Sequence, residues 1–323
     1  MAAGSYPLDL LINALSAYNT CYILGAGASS PHVPTMSQLP DRLAPYAVRL
    51  GSFPGGRGPD SPLRRLIDPL IEKALSIGTL EAWKASAMTP ATIAVALEHV
   101  IAAAHWLPLP QYAVFQLIPR TCSVVSFNWD GLAGAQCHQT IRLHPHGVVS
   151  PYLLSPAALD ELFHLTQLYD SPDAREQFLP GLVMPGEEDA PAHATMRERV
   201  FQLWLGTEQA IIIGYRFGLG SDRAYDRIWL DTFVEAFREN KRATIHILDP
   251  DALGLRSQLT DLLRRAVNVH AWPLNWYALS HALLEAARLH DCARLHELRV
   301  HANTLDRLYH RVIEAGATGA ARP

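Results

Sequence analysis

Six short apolar runs, each halted by a polar or glycine-containing turn, constrain this chain most. Residues 21–24 run into Gly25-Ala26-Gly27-Ala28-Ser29, residues 123–127 into Asn128-Trp129-Asp130, and residues 141–143 into His144-Pro145-His146-Gly147. Residues 210–213 run into Gly214-Tyr215-Arg216, residues 244–248 into Asp249-Pro250-Asp251, and residues 267–271 close the series. Short apolar runs bounded by turn residues are the pattern of parallel strands buried on both faces. Helical patterns lie between them. Residues 222–240 carry Ile228, Trp229, Phe233, Ala236 and Phe237 at helical spacing, with Asn240 suited to end the helix. Residues 251–266 repeat the pattern with Leu255, Leu259, Leu262 and Leu263. Strand alternating with helix predicts an α/β fold, a Rossmann-like doubly wound parallel sheet.

Two intervals exceed the minimal alternation, at about 41–116 and 155–202. Both read as mostly helical insertions at strand ends, where loops close over ligands. After Pro273 the spacing of Leu279, Leu283, Leu284, Ala287, Leu295, Leu298, Leu305, Leu308 and Val312 predicts a helical tail. The chain is thus read as a sheet domain over 1–272 and a tail over 273–323. The tail's apolar face must be buried, either on its own domain or on a neighbouring subunit.

Twenty-seven basic against 31 acidic residues give a formal charge of −4, which argues against a general nucleic-acid binder. Cys21, Cys122, Cys137 and Cys292 form no CxxC pair, so they suggest neither a zinc ribbon nor a thioredoxin-type redox site. The first residues lack a basic leader. Leu8, Leu11, Ile12 and Leu15 fall on one face of an amphipathic helix. No run reaches the roughly 18 apolar residues of a membrane span. A cytoplasmic protein without membrane association is expected.

In open α/β sheets ligands sit beyond the carboxyl ends of the strands, where every polar cluster named above falls. Backbone amides of the glycine turn at 25–29 can approach phosphate, or the turn can merely pack. Asn128 can hold a ribose hydroxyl or a water. Asn128 and Asp130 can equally be turn formers. His144 and His146 carry the side chain best matched to proton transfer near neutral pH. Asp249 can grip a ribose diol or cap the following helix. Of the fifteen histidines no two stand three or four residues apart in a helical ligand pair, so no metal site is expected.

Taken in order, Gly25-Ala26-Gly27-Ala28-Ser29, Pro34-Thr35-Met36, Ser126-Phe127-Asn128-Trp129-Asp130, His146-Gly147 and Gly214-Tyr215 with Asp222 resemble the sirtuin superfamily. The set looks closest to the zinc-free bacterial sirtuin-like NAD hydrolases of antiviral defence, over about 18–271. The resemblance implies that Gly25, Ala26, Gly27 and Gly214 line the diphosphate of NAD, and that Ser29 and Asp130 complete the pocket. It implies catalytic roles for Asn128, on the ribose or attacking water, and for His146, on a ribose hydroxyl or water, with Asp249 at the adenosine end. NAD is then the substrate, released as nicotinamide and ADP-ribose, and no metal is required.

Three departures qualify the likeness. The paired zinc cysteines of deacylating sirtuins are absent, which argues against deacylation. Arg216 stands where the family has serine, free to pair with phosphate or to be neutralised by Asp222 or Asp226. Two histidines stand where one is usual; His146, which precedes a glycine, is assigned, with His144 as alternate. A binding sensor or scaffold for NAD or ADP-ribose, without turnover, is the other reading. Because unrestrained NAD hydrolysis would kill the cell, the resemblance also implies a gate: a homo-oligomer, with or without a separate activating or sensing protein.

Overall fold

A computed structural model describes residues 8–33, 108–148, 193–219 and 226–319, the side chains of residues 302 and 312–319 excepted. Most of both expected insertions, Pro34-Thr35-Met36 and Asp222 lie outside the described residues.

The sheet has six parallel strands: β1 (Thr20–Leu24), β2 (Ser123–Ser126), β3 (Ile141–Leu143), β4 (Gln209–Ile213), β5 (Thr244–Leu248) and β6 (Asn268–Trp272). Their order across the sheet is β3-β2-β1-β4-β5-β6. Chain direction across the sheet reverses between β1 and β4, and this is the switch point at which doubly wound folds open a ligand crevice. In-register pairing joins Leu24 to Ser126 on one side and to Ile213 on the other. The expected α/β fold is present.

Alternation along each strand sends successive side chains to opposite faces. Tyr22, Leu24, Val124, Ile211 and Ile213 face one apolar layer, and Cys21, Ile23, Val125, Ala210 and Ile212 face the other. The first layer is covered by α1 (Leu8–Ser16), the short α3 (Pro110–Ala113) and a 3-10 turn (Val114–Leu117). Between α1 and α3 in chain order, the one-turn α2 (Ala26–Ser29) follows β1 directly. After β2 comes another short helix, α4 (Leu132–Gln136). The second layer is covered by α5 (Ala194–Leu205), α6 (Arg227–Glu239) and α7 (Ala252–Leu262).

The structure corrects several expected boundaries. Val200 and Trp204 of α5 are core residues of the second layer, so 194–202 belongs to the sheet's own helical cover, not to an insertion. Tyr112, Val114 and Phe115 do the same for the first layer. The helix expected to reach residue 266 ends at Leu262, because Arg264 and Arg265 adopt φ of 51° and 58°, outside helical geometry. β6 lies one residue later than the apolar run suggested.

The tail forms α8 (Trp276–Leu289), a 3-10 segment (Leu295–His301) and α9 (Ala302–Gly319). Leu279, Leu283, Leu295, Leu298, Leu305 and Leu308 are at most 2% exposed within the same core as α1 and the sheet. The apolar face of the tail is therefore buried on its own chain. A continuous intramolecular core is the reason a subunit contact is not needed to cover it. Val312's side chain lies outside the described residues.

Candidate functional site

The loops after β1 and β4 meet at the switch point, and glycine makes the meeting possible. Gly25 and Gly27 donate their amides to the carbonyls of Ile213 and Gly214 at 3.0 and 3.2 Å. A Cβ on Gly25 would lie 2.5 Å from the Gly214 oxygen, and one on Gly214 would lie 2.5 Å from Gly27 Cα. Gly214 also has φ of +59°, a conformation costly for other residues. Close packing of two backbones thus accounts for these three glycines. Ala26 opens α2 beside them.

At the far end of α2, Ser29 is fully buried and organises the first cluster. Its hydroxyl donates to Asp130 Oδ2 and accepts from Asn128 Nδ2 at 2.9 Å. The Tyr112 hydroxyl lies 2.6 Å away. Burial, then the neighbouring Asp130, push the Tyr112 phenol well above its usual range, so it keeps its hydrogen and donates to Ser29. One bond given and two received saturate the serine. Because Asn128 spends its amide NH₂ on Ser29, its carbonyl oxygen is the end turned to other partners, an acceptor for a hydroxyl or water. Asp130 is 2% exposed, and its Oδ1 accepts from the Leu132 amide at 3.0 Å. Burial pushes its carboxyl up to about 6, against the lowering effect of the Ser29 and Leu132 bonds.

A second cluster forms around His146, past the end of β3. Nδ1 lies 3.1 Å from the Phe127 carbonyl and Nε2 lies 3.0 Å from Asp226 Oδ1. Asp226 Oδ2 accepts from the Tyr215 hydroxyl at 3.0 Å. The Phe127 ring stacks on Tyr215 at 4.2 Å and 7°, and meets His146 edge-on at 5.1 Å. Trp229 of α6 closes the aromatic wall. His144 faces elsewhere: its Nε2 would lie 3.2 Å from a Cβ placed on Gly134 of α4. Burial, then Arg142, hold the His144 imidazole below its usual range.

The third cluster corrects an expectation. Asp222 lies outside the described residues, and Asp226 faces His146. Arg216 grips Asp249, with Nη2 2.7 Å from Oδ1 and Nε 3.4 Å from Oδ2, and places Nη1 3.4 Å from Asp251. Side-chain burial explains the choice: Asp249 is 7% exposed and needs a fixed cation. Its Oδ1 also accepts from the Asp251 amide at 2.8 Å, so it shapes the turn into α7.

Ser29, Asn128 and Asp130 are therefore in direct contact, while His146 is joined to them through the 127–128 backbone. Asp249 belongs to a separate pair two strands away. Sequence reading missed Tyr112, and it named Tyr215 and Asp226 without their link to His146. Nothing marks Tyr112 in the sequence, but an acid directly preceding an amphipathic helix is a visible signal for Asp226. Cys21, Cys122 and Cys137 supply no nucleophile: burial pushes the thiols of Cys21 and Cys122 up to about 12 and about 11, and that of Cys137 higher still. Among the described residues no three His, Cys, Asp or Glu side chains gather at a metal-sized centre, and no helix is long and apolar enough to cross a membrane. Fold and site together define a Rossmann-like α/β protein with polar clusters at its switch point. No protein-family model, curated protein or solved structure matches the chain.

Proposed function

We propose that this protein hydrolyses NAD to nicotinamide and ADP-ribose. The observation that carries the reading is the Ser29 cluster. It holds Asn128 at the carboxyl end of β2 with its amide nitrogen committed to Ser29 and its carbonyl oxygen available as an acceptor. Such an acceptor suits a ribose hydroxyl or an attacking water, and fixed orientation can contribute ~7–11 kcal/mol to that attack. As nicotinamide leaves, positive charge grows on the ribose. Asp130 and Asp226 supply the nearby carboxyl groups, and His146 the proton-handling group. On this reading Gly25, Ala26, Gly27 and Gly214 form the backbone wall for the diphosphate. Asp249, with Arg216, borders the adenosine end.

The sirtuin-like resemblance extends the proposal to an NAD-depleting effector of antiphage defence, gated by a homo-oligomer or a separate sensing protein. A non-catalytic sensor of NAD or ADP-ribose is the second reading. In its favour, both nitrogens of His146 already meet protein oxygens. Incubation with NAD separates the two. Nicotinamide release is expected from the wild type, with Asn128→Ala at least ~10²-fold slower at unchanged fold. Calorimetric binding of NAD with no nicotinamide released would support the sensor instead. Full activity in Asn128→Ala would remove Asn128 from the mechanism.

A further inference from the structure

The sequence motifs assign His146 but say nothing of what controls it. Nδ1 faces the Phe127 carbonyl at 3.1 Å, which fixes a hydrogen on that nitrogen. Nε2 then faces Asp226 Oδ1 at 3.0 Å. The contact is an ion pair by distance and falls outside hydrogen-bond alignment, so charge attraction between a protonated imidazole and the carboxylate is what draws the two together. Asp226 is itself held on its other oxygen by the Tyr215 hydroxyl. Tyr215 is locked by its stack on Phe127. Asp226 sits directly before α6 with φ of 58°, so its backbone aims the carboxylate by a conformation few residues adopt.

Resting on the NAD-hydrolase reading, we infer that Asp226, steadied by Tyr215, is the positioning residue of that reaction, holding His146 and the proton at its Nε2. The proton balance follows from the overall chemistry. Cleavage of the bond between nicotinamide and ribose lets nicotinamide leave with the bonding pair as a neutral base. Addition of water to the ribose carbon releases one proton. The His146–Asp226 pair gives its Nε2 proton to solvent as a turnover begins and takes the released proton in its place, so that one proton reaches solvent for each NAD cleaved. Asp226, with its side chain 16% exposed, is the outlet. Without the carboxylate, the imidazole keeps its Phe127 bond but loses both its second anchor and the charge that favours proton uptake.

Asp226→Asn is the direct test, because among replacements that keep the side-chain shape asparagine best tolerates positive φ. Tyr215→Phe is the second, removing one bond to the carboxylate and keeping the ring stack. Two measurements apply to both. In proton–nitrogen NMR spectra of histidine-labelled wild type, a protected N–H at His146 Nε2, assigned by its loss in His146→Ala, is expected. It should disappear in Asp226→Asn and persist, exchanging faster, in Tyr215→Phe. In nicotinamide-release assays, Asp226→Asn should lower kcat by ~10²-fold, with KM for NAD changed less than threefold, and Tyr215→Phe should fall between. An unaltered Nε2 signal in Asp226→Asn overturns the inference, as does an unaltered kcat. If the wild type releases no nicotinamide, the functional reading fails and the reaction role with it, while the NMR signal still decides the pairing. Should Asp226→Asn fail to fold by circular dichroism, Tyr215→Phe decides: unchanged kcat and unchanged proton exchange there refute the inference.

Discussion

Replacing Asp130 by asparagine should stabilise the protein above pH 6 and leave it nearly unchanged at pH 4. The carboxyl is fully enclosed, and burial raises it from 3.8 to about 6 despite its two hydrogen bonds. A raised carboxyl means that the folded state binds a proton more tightly than the unfolded chain. Its contribution to stability is therefore present below the unfolded value near 4 and is lost as pH rises to about 6. At ~1.4 kcal/mol per pH unit, the loss is about 3 kcal/mol at neutral pH. Asparagine escapes that loss and still satisfies the cluster. Its carbonyl can accept from the Leu132 amide and its NH₂ can donate to Ser29, which then passes its own hydrogen to Tyr112. His246 complicates the absolute curve: burial, then His270, hold its imidazole down at about 3, so its contribution rises with pH through the acid range. The difference between the two proteins cancels it. Urea unfolding of wild type and Asp130→Asn at pH 4, 5, 6, 7 and 8 should show a stability difference that grows by about 3 kcal/mol and levels off above pH 7. A difference independent of pH would refute the assignment of an ionising carboxyl to the buried cluster.

Three further outcomes follow from the same geometry. Gly214→Ala combines a positive φ with a Cβ 2.5 Å from Gly27, and should cost about 2–4 kcal/mol in chemical unfolding; a loss under 0.5 kcal/mol would mean that the two loops do not meet as described. His146→Ala should reduce nicotinamide release by ~10²–10⁴-fold, while His144→Ala, whose ring packs against Gly134, should change it less than fivefold; the reverse order would show that the wrong imidazole is assigned. Truncation after Pro273 removes six leucines each at most 2% exposed, roughly 9–18 kcal/mol of burial, which matches or exceeds the whole stability of a typical domain. The truncated chain should lose its cooperative thermal transition; a folded, soluble sheet after truncation would show that the tail is separable.

All six strands were legible in the sequence to within a residue at either end. The cause is physical: a parallel sheet covered on both faces buries its central strands throughout, as the unbroken burial of 20–24 and 123–126 shows, so these strands stand out as apolar runs, while the edge strand β3 buries only Leu143. Ser29, Asn128 and Asp130 were legible because the fold rule places ligand groups at strand ends. What could not be read were pairings across long stretches of chain. Tyr112 reaches Ser29 from a helix 83 positions away, and no local pattern encodes that meeting. Arg216 had two acids named for it, Asp222 and Asp226, and its pairing with Asp249 depends on burial that only the folded chain defines. The tail's apolar stripe was plain, but a stripe states that a face is buried, not what covers it.

Phe127 and Asn128 tie the two polar clusters together. The Phe127 amide donates to the Leu24 carbonyl at 2.9 Å, so the chain leaving β2 is still anchored to β1 at this point. Strand alternation continues there, sending the Phe127 ring to the layer of Tyr215 and Trp229 and the Asn128 amide to Ser29. The same Phe127 residue offers its carbonyl to His146. A single peptide link thus separates Asn128, proposed to position a hydroxyl or water, from the carbonyl that meets His146, proposed to handle a proton. Neither cluster can shift without carrying that link along. The stack of Phe127 on Tyr215 also ties the link to the β4 loop, where Gly214 and Gly27 are already in backbone contact. The geometry of Asn128 and His146 is therefore set by sheet register and aromatic packing, not by the flexible torsions of long side chains. That is the form of rigidity that orientation-dependent catalysis requires.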